Sequence, residues 1–279
     1  MLDFLKSRSF FVIAGPCVIE TPELCIGVAK RVKAICEKLG IGYVFKASFD
    51  KANRSSSSSF RGPGLEAGLA ILQRVKDEVG VPLLTDVHET AQVKPAAKVV
   101  DVLQVPAFLA RQTDLLLACG EAGRCVNLKK GQFMSPEEMG NAVEKVRSTG
   151  NRDVLLTERG TFFGYNRLVN DFTGLSIMKE FGCPVIFDIT HSTQRPGGMG
   201  HQSGGNPRFT PLLARAATAA GVDGLFLECH PDPKNAKSDA ASVMHIDAVE
   251  GLLTQVKQLV DLRRTWDGKS EEKPEGKST

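Results

Sequence analysis

Apolar positions along this chain follow two patterns that take turns. Eight short stretches rich in Val, Ile, Leu and Phe are nearly unbroken by polar residues: Phe10–Ala14, Gly42–Phe45, Pro82–Thr85, Val102–Val105, Val126–Leu128, Val154–Thr157, Pro184–Phe187 and Gly224–Leu227. Continuous rather than alternating apolar runs predict parallel strands buried on both faces. Between them the spacing turns helical. Glu20–Leu39 places Leu24, Val28, Val32 and Ile35 on one face, and Gly40 can end it. Leu65–Val79 repeats the pattern and stops at Gly80, and Ser135-Pro136-Glu137-Glu138 reads as a helix start, with a cap, an N1 proline and acidic first-turn residues. Thr210-Pro211 opens another helix before Leu212–Ala220, which Gly221 can close. Eight strand–helix alternations predict an α/β chain folded as a single-domain (β/α)8 TIM barrel over residues 1–265. A doubly wound open sheet is the competitor, and the lack of a GxGxxG turn weighs against it.

Two segments break the rhythm. Residues 48–64, with five consecutive serines, form a long polar loop after the second strand, and residues 192–209, rich in glycine, follow the seventh as a mobile loop. Residues 266–279 are charged and contain Pro and Gly, which predicts a disordered tail.

Composition narrows the class. A net charge of +3 over 279 residues gives no footing for nucleic acid or an anionic membrane as partner. The apolar run Phe10–Ala14 is only five residues before Gly15-Pro16, too short for a secretion signal core of about 7–15 residues. No run approaches the roughly 20 apolar residues of a membrane span. Seven cysteines, odd in number and without a CxxC pair, argue against a disulfide framework and for a reducing, cytoplasmic setting.

In such a barrel the C-terminal strand ends share one mouth, where the active site sits. Those ends read Cys17, Lys46, Asp86 with His88, Gln104, Lys129, Arg159, His191, and Glu228 with His230. Eight polar ends out of eight are more than caps and surface groups require. One subset is cationic: Lys46, Lys51, Arg54, Lys129 and Arg159. Crowded together these would repel one another without an anion, and phosphate or carboxylate suits the Arg fork and the Lys point charge. The alternative is that each pairs with Asp50, Asp86 or Glu158. A second subset, Cys17, His191, Glu228 and Asp239, offers a thiolate, an imidazole and two carboxylates. That mixture suits Zn²⁺, Fe²⁺ or Mn²⁺ better than Mg²⁺ or Ca²⁺, although the spacing leaves a buried Cys17 among ordinary ion pairs equally open.

Several long motifs resemble those of the 3-deoxy-D-manno-octulosonate 8-phosphate synthases. They are Ala14-Gly15-Pro16-Cys17, the stretch Phe45-Lys46-Ala47-Ser48-Phe49-Asp50-Lys51-Ala52-Asn53-Arg54-Ser55-Ser56, Arg61-Gly62-Pro63-Gly64, Thr85-Asp86-Val87-His88-Glu89, Leu103-Gln104-Val105-Pro106-Ala107-Phe108, Asn127-Leu128-Lys129-Lys130-Gly131-Gln132, Phe187-Asp188-Ile189-Thr190-His191, and Glu228-Cys229-His230-Pro231-Asp232-Pro233. The likeness runs from about residue 10 to 262. It implies a barrel, usually a homotetramer, that joins phosphoenolpyruvate to D-arabinose 5-phosphate on the way to lipopolysaccharide. It further implies that Lys46, Lys51, Lys129 and Arg159 hold the phosphoenolpyruvate phosphate and carboxylate, within a binding set that includes Asp86 and Gln104. Asn53, Arg54 and Ser55 would hold the pentose phosphate, and Arg111 would reach a neighbouring subunit's sugar phosphate. Members with Cys at position 17, rather than Asn, belong to a branch that binds a divalent ion through that Cys and the counterparts of His191, Glu228 and Asp239. Lys46, Lys51, His191 and Asp239 are the expected catalytic groups.

The nearest rival is the seven-carbon homologue acting on erythrose 4-phosphate, expected to read Lys-Pro-Arg-Thr where this chain reads Lys51-Ala52-Asn53-Arg54. Sialic acid synthases share the chemistry but carry a further C-terminal domain. A catalytically silent barrel that only binds phosphorylated ligands is the rival of another class, and no broken motif supports it. One departure from the resembled pattern is expected: with little chain ahead of the first strand, any hairpin sealing the barrel bottom must be short.

Overall fold

The computed structural model describes residues 9–53, 56, 58–162, 164–198 and 204–267. Its central sheet contains β1 (Phe11–Gly15), β2 (Gly42–Lys46), β3 (Leu83–Asp86), β4 (Val102–Val105), β5 (Cys125–Lys129), β6 (Val154–Glu158), β7 (Val185–Asp188) and β8 (Gly224–His230). All eight are parallel and hydrogen-bonded in chain order, and β1 pairs with β8 to close the ring, Phe11 facing Gly224 and Gly15 facing Glu228. The helices are α1 (Pro22–Leu39), α2 (Leu65–Val79), α3 (Thr90–Val99), α4 (Thr113–Glu121), α5 (Met139–Arg147), α6 (Thr173–Lys179), α7 (Thr210–Ala219) and α8 (Val249–Asp267). This is the (β/α)8 barrel that the apolar runs predict. β2, β3, β5, β6 and β7 each end one residue beyond their runs, on Lys46, Asp86, Lys129, Glu158 and Asp188, and β8 continues three residues to His230, whereas β4 stops with its run at Val105.

The strands are apolar on both faces because the fold has two cores. Phe11, Ile13, Val44, Leu84, Val102, Cys125, Leu155, Ile186 and Phe226 pack together inside the barrel. Val12, Ala14, Phe45, Leu83, Leu103, Val126 and Leu156 face outward onto the helices. Burying a side chain of this kind contributes roughly 1.5–3 kcal/mol, so a one-residue slip in any strand would exchange two apolar sets rather than expose one. The closed register, not polarity, fixes which residue points inward.

Helix ends follow local chemistry. Thr21 Oγ1 accepts from Leu24 N at 3.1 Å at the start of α1, and Gly40, at φ 62°, ends it. Residues 135–138 depart from expectation. Met139, Gly140 and Asn141 donate to carbonyls three residues back, so the chain climbs in a tight turn and becomes α-helical only at Met139. Glu138 Oε2 meanwhile accepts from Ser135 N at 2.9 Å. Helix α8 runs to Asp267; of the expected tail, residues 268–279 lie outside the described residues, as do the first eight positions, where any short sealing hairpin would fall. All seven cysteines are free and buried, and no described helix is long and apolar enough to cross a membrane.

Candidate active site

The strand ends open into a cavity of about 650 Å³, and Lys46, Lys51, Asn53, Asp86, His88, Gln104, Lys129, Arg159, His191 and Asp239 all line it. Strand-end geometry explains the convergence. Each inward position of the barrel lies above the apolar plug capped by Phe226, and a polar residue there has only the mouth to face. Lys129 Nζ rests 3.9 Å from the centre of the Phe226 ring and Lys46 Nζ 5.6 Å, close enough for cation–π attraction.

A buried hydrogen-bonded belt supports this floor. Ser48 Oγ and Gln104 Nε2 both donate to Asp86. Asn127 Nδ2 donates to Gln104 Oε1 at 2.8 Å, and Thr157 Oγ1 to Asn127 Oδ1 at 2.7 Å. Both amides of this belt, Gln104 and Asn127, donate on one side and accept on the other, so the belt has one orientation. Burial would push the Asp86 carboxyl pKa up, but Lys46 and Lys51 outweigh it and hold the group well below the usual carboxylate range.

Of Asp50, Asp86 and Glu158, Asp86 meets one of these cations, its Oδ2 lying 4.0 Å from Lys46 Nζ; the closer partners are other groups. Lys46 Nζ donates to Glu228 Oε1 at 2.6 Å and to the Cys17 carbonyl at 2.9 Å. Lys129 Nζ donates to Asp188 Oδ2 at 2.5 Å. Burial pulls the Lys129 pKa down, and Asp188 recovers only part of that loss. For Lys51 the balance is reversed: burial lowers its pKa, and the anionic potential of Cys17, Glu228, Asp86 and Asp239 carries it above the ordinary lysine value. Asp50 is taken by Arg61, whose Nε donates to it at 2.8 Å. Arg159 gives Nη2 to Gln194 Oε1 at 2.8 Å, while its Nη1 is buried with no hydrogen-bond partner among the described residues. A buried guanidinium N–H without a partner is uncommon and has the chemistry to donate to an oxyanion.

The second subset also assembles. The ligand atoms of Cys17, Glu228 and Asp239 lie within 4.8 Å of one another. His191 joins through its Nε2, 3.5 Å from Glu228 Oε2 and 3.6 Å from Asp239 Oδ2. Glu228 Oε2 is buried without a hydrogen-bond partner, because Lys46 has taken only Oε1. Asp239 holds a left-handed backbone, φ 51°, with its carbonyl accepting from Ser242 N and Val243 N at 2.8 and 3.0 Å. Such a conformation in a non-glycine residue costs on the order of 1–3 kcal/mol and clusters at functional positions. Burial, then Asp239 and Glu228, push the Cys17 thiol up. A thiol, an imidazole and two carboxylates, one with an orphaned oxygen, fit a divalent cation of the borderline-soft class.

Some expected residues stand apart. Arg54 and Ser55 lie outside the described residues. Arg111 is exposed on a separate depression with Met134, Asn141 and Lys145, away from the mouth. His230 does not line the cavity; its Nε2 turns to Glu20 Oε1 at 3.4 Å. Two residues, Asp188 inside a quoted motif and Gln194 outside all of them, have contacts that the sequence pattern does not predict. Asp188 lies between Lys129 and His191, and Gln194 holds Arg159. The Phe187-Asp188-Ile189 triplet carried a signal for the first, since an acidic residue ending an inward-facing apolar strand needs a cation.

The chain matches the model of the DAHP synthetase I family over residues 6–265. It belongs to that family. Curated relatives named 2-dehydro-3-deoxyphosphooctonate aldolase are similar along nearly their whole length. The one from Syntrophotalea carbinolica is 55% identical over 245 residues, 88% of each chain. That from Thioalkalivibrio sulfidiphilus is 54% identical over 252 residues, 90% of each. That from Xanthomonas euvesicatoria pv. vesicatoria is 55% identical over 252 residues, 90% of this chain and 91% of its own.

Proposed function

We propose that the chain is a transferase that condenses phosphoenolpyruvate with D-arabinose 5-phosphate and water, giving 3-deoxy-D-manno-octulosonate 8-phosphate and inorganic phosphate for lipopolysaccharide precursor synthesis. One observation carries this reading: Lys46, Lys51, Lys129 and Arg159 converge on one cavity beside the set Cys17, His191, Glu228 and Asp239. The relatives' names agree with it. The seven-carbon alternative takes the same first substrate, and Asn53 in the cavity wall, in place of the Arg expected of that homologue, favours the pentose phosphate.

The reaction forms a bond from phosphoenolpyruvate C3 to the aldehyde carbon, while water adds at C2. The tetrahedral intermediate then loses phosphate by C–O cleavage, leaving the keto group. Two anions must meet, and the cationic wall makes that encounter tolerable and sets their alignment. Arg159 presents its unused Nη1, and Lys51 and Lys129 their ammonium groups, to phosphate and carboxylate oxygens. Lys46, neutralised against Glu228 Oε1, keeps the other oxygen of that carboxylate directed into the site. The Asp239 carboxylate, which has a second oxygen to spare and lies with Oδ2 3.6 Å from His191 Nε2, accepts the proton shed by water and returns one to the new alkoxide. A divalent cation, Zn²⁺, Fe²⁺ or Mn²⁺, held by Cys17, His191, Glu228 and Asp239 would supply Lewis acidity toward the aldehyde or the attacking water. Support for that cation is the orphaned Glu228 Oε2 and the donor chemistry.

The same reading has the chain working in the cytoplasm, supported by seven free cysteines, and as a homotetramer. Arg111 supports the latter, since it meets a sugar phosphate only if another copy brings its mouth there. The test is to incubate the protein with phosphoenolpyruvate and either arabinose 5-phosphate or erythrose 4-phosphate, reading phosphate release and product mass. Turnover is expected with the pentose phosphate; preference for the tetrose phosphate, or binding of both without turnover, would select a rival.

A further inference from the structure

Asp188 sits at the end of β7 and is fully buried. Its Oδ1 accepts two backbone N–H groups, from Thr190 at 3.0 Å and His191 at 2.9 Å, so the carboxylate is fixed by the turn that follows the strand. Its Oδ2 accepts from two side chains at once, Lys129 Nζ at 2.5 Å and His191 Nδ1 at 2.7 Å. No other acidic residue touches both the anion-binding wall and the cation-binding set through one atom among the described residues.

Each contact has a consequence. Lys129 projects over the Phe226 ring, and its 2.5 Å contact to Asp188 Oδ2 fixes where the ammonium sits; a lysine recognises phosphate as a point charge, so its grip depends on that placement. A carboxylate that accepts from His191 Nδ1 places the imidazole proton on that nitrogen. The Nε2 lone pair is then left facing Glu228 Oε2 and Asp239 Oδ2. Outer carboxylates of this kind fix the tautomer and ring orientation of a ligating histidine. We propose that Asp188 is a positioning residue shared by the two halves of the site, holding Lys129 for the substrate anion and His191 for the divalent cation through a single oxygen. The inference rests on the functional reading above and adds a residue to it.

The variant Asp188→Asn keeps size and shape while removing the charge. Two affinities decide, each measured per folded molecule: Zn²⁺ by competition with a chromogenic chelator, and phosphoenolpyruvate by calorimetry on the zinc-loaded protein. Zn²⁺ affinity is expected to fall roughly 10- to 100-fold and phosphoenolpyruvate affinity roughly tenfold or more, with both losses in one variant. A purely structural role would lower the melting temperature and leave both affinities alone, which overturns the proposal; a loss confined to one ligand overturns the shared role. A wild-type protein that binds neither ligand overturns the functional reading, and this inference with it, whereas normal wild-type binding with an unaffected variant sinks the inference alone. Should Asp188→Asn fail to fold, nitrogen-15 histidine spectra of zinc-loaded wild type decide. An exchange-protected, low-field Nδ1–H proton at His191 is expected, and its absence contradicts the assignment.

Discussion

At the scale of single residues, the site is a set of buried charges each satisfied on one side and open on the other. Glu228 gives Oε1 to Lys46 and keeps Oε2; Arg159 gives Nη2 to Gln194 and keeps Nη1. Half-satisfied buried groups are costly, of order 1–3 kcal/mol each, and are tolerated where a ligand completes them. Arg159→Lys isolates this point. It retains the charge but loses the planar fork, so the KM for phosphoenolpyruvate should rise on the order of tenfold or more with little change in melting temperature. Steady-state kinetics varying that substrate check it, and an unchanged KM would remove Arg159 from the anion site. The cationic ends were legible in the sequence because each closes an apolar run. Their partners were not. Lys46 and Glu228 are 182 residues apart, and no local pattern encodes which buried carboxylate a lysine will meet; only barrel closure brings β1, β2 and β8 side by side.

At the scale of elements, two positions show how the frame aims the site. Gly15 ends β1 where that strand passes β2 so closely that an added Cβ would overlap the Lys46 carbonyl oxygen. Gly15→Ala should therefore cost about 1–3 kcal/mol and displace Lys46 with its strand. Thermal unfolding together with activity should fall in step; a variant with wild-type stability would show that β1 and β2 have more room than the register allows. The second position is Asp171, just ahead of α6. Its Oδ1 accepts from Thr173 Oγ1 at 2.6 Å and Thr173 N at 2.9 Å. The hydroxyl donor, followed by backbone donors, holds the carboxyl below the usual range. A carboxyl whose folded pKa is depressed adds stability above its unfolded pKa of about 4, and that stability is lost as pH falls through the folded value. The melting-temperature gap between wild type and Asp171→Asn should thus stay level from about pH 7 to 5 and close below about 4. A gap independent of pH would detach the capping interaction from the carboxylate charge. Sequence signals at this scale were good for strands and for Gly-terminated helices. They placed the start of α5 too early, because Pro136 packs on Gly174 and the segment winds as a tight turn before the α-helix begins.

At the scale of the whole molecule, a continuous apolar plug inside the barrel carries a polar belt and a mixed-charge mouth. Function sits where the interior runs out of apolar residues. The eight-fold alternation was readable because each βα unit repeats a local pattern, and the mouth followed from it. Asp188's double contact needed coordinates, since one partner, Lys129, ends β5, 59 residues away in sequence, and the other, His191, lies in the turn after β7, and both share one of its oxygens. The account stands or falls on a divalent cation beside the anion-binding wall. The direct measurement is turnover of phosphoenolpyruvate with arabinose 5-phosphate by protein stripped with a strong chelator, with metal content read by elemental analysis before and after Zn²⁺, Fe²⁺ or Mn²⁺ is returned. Loss of phosphate release on stripping, restored by one equivalent of cation, is the predicted result; undiminished turnover in protein free of metal would contradict it.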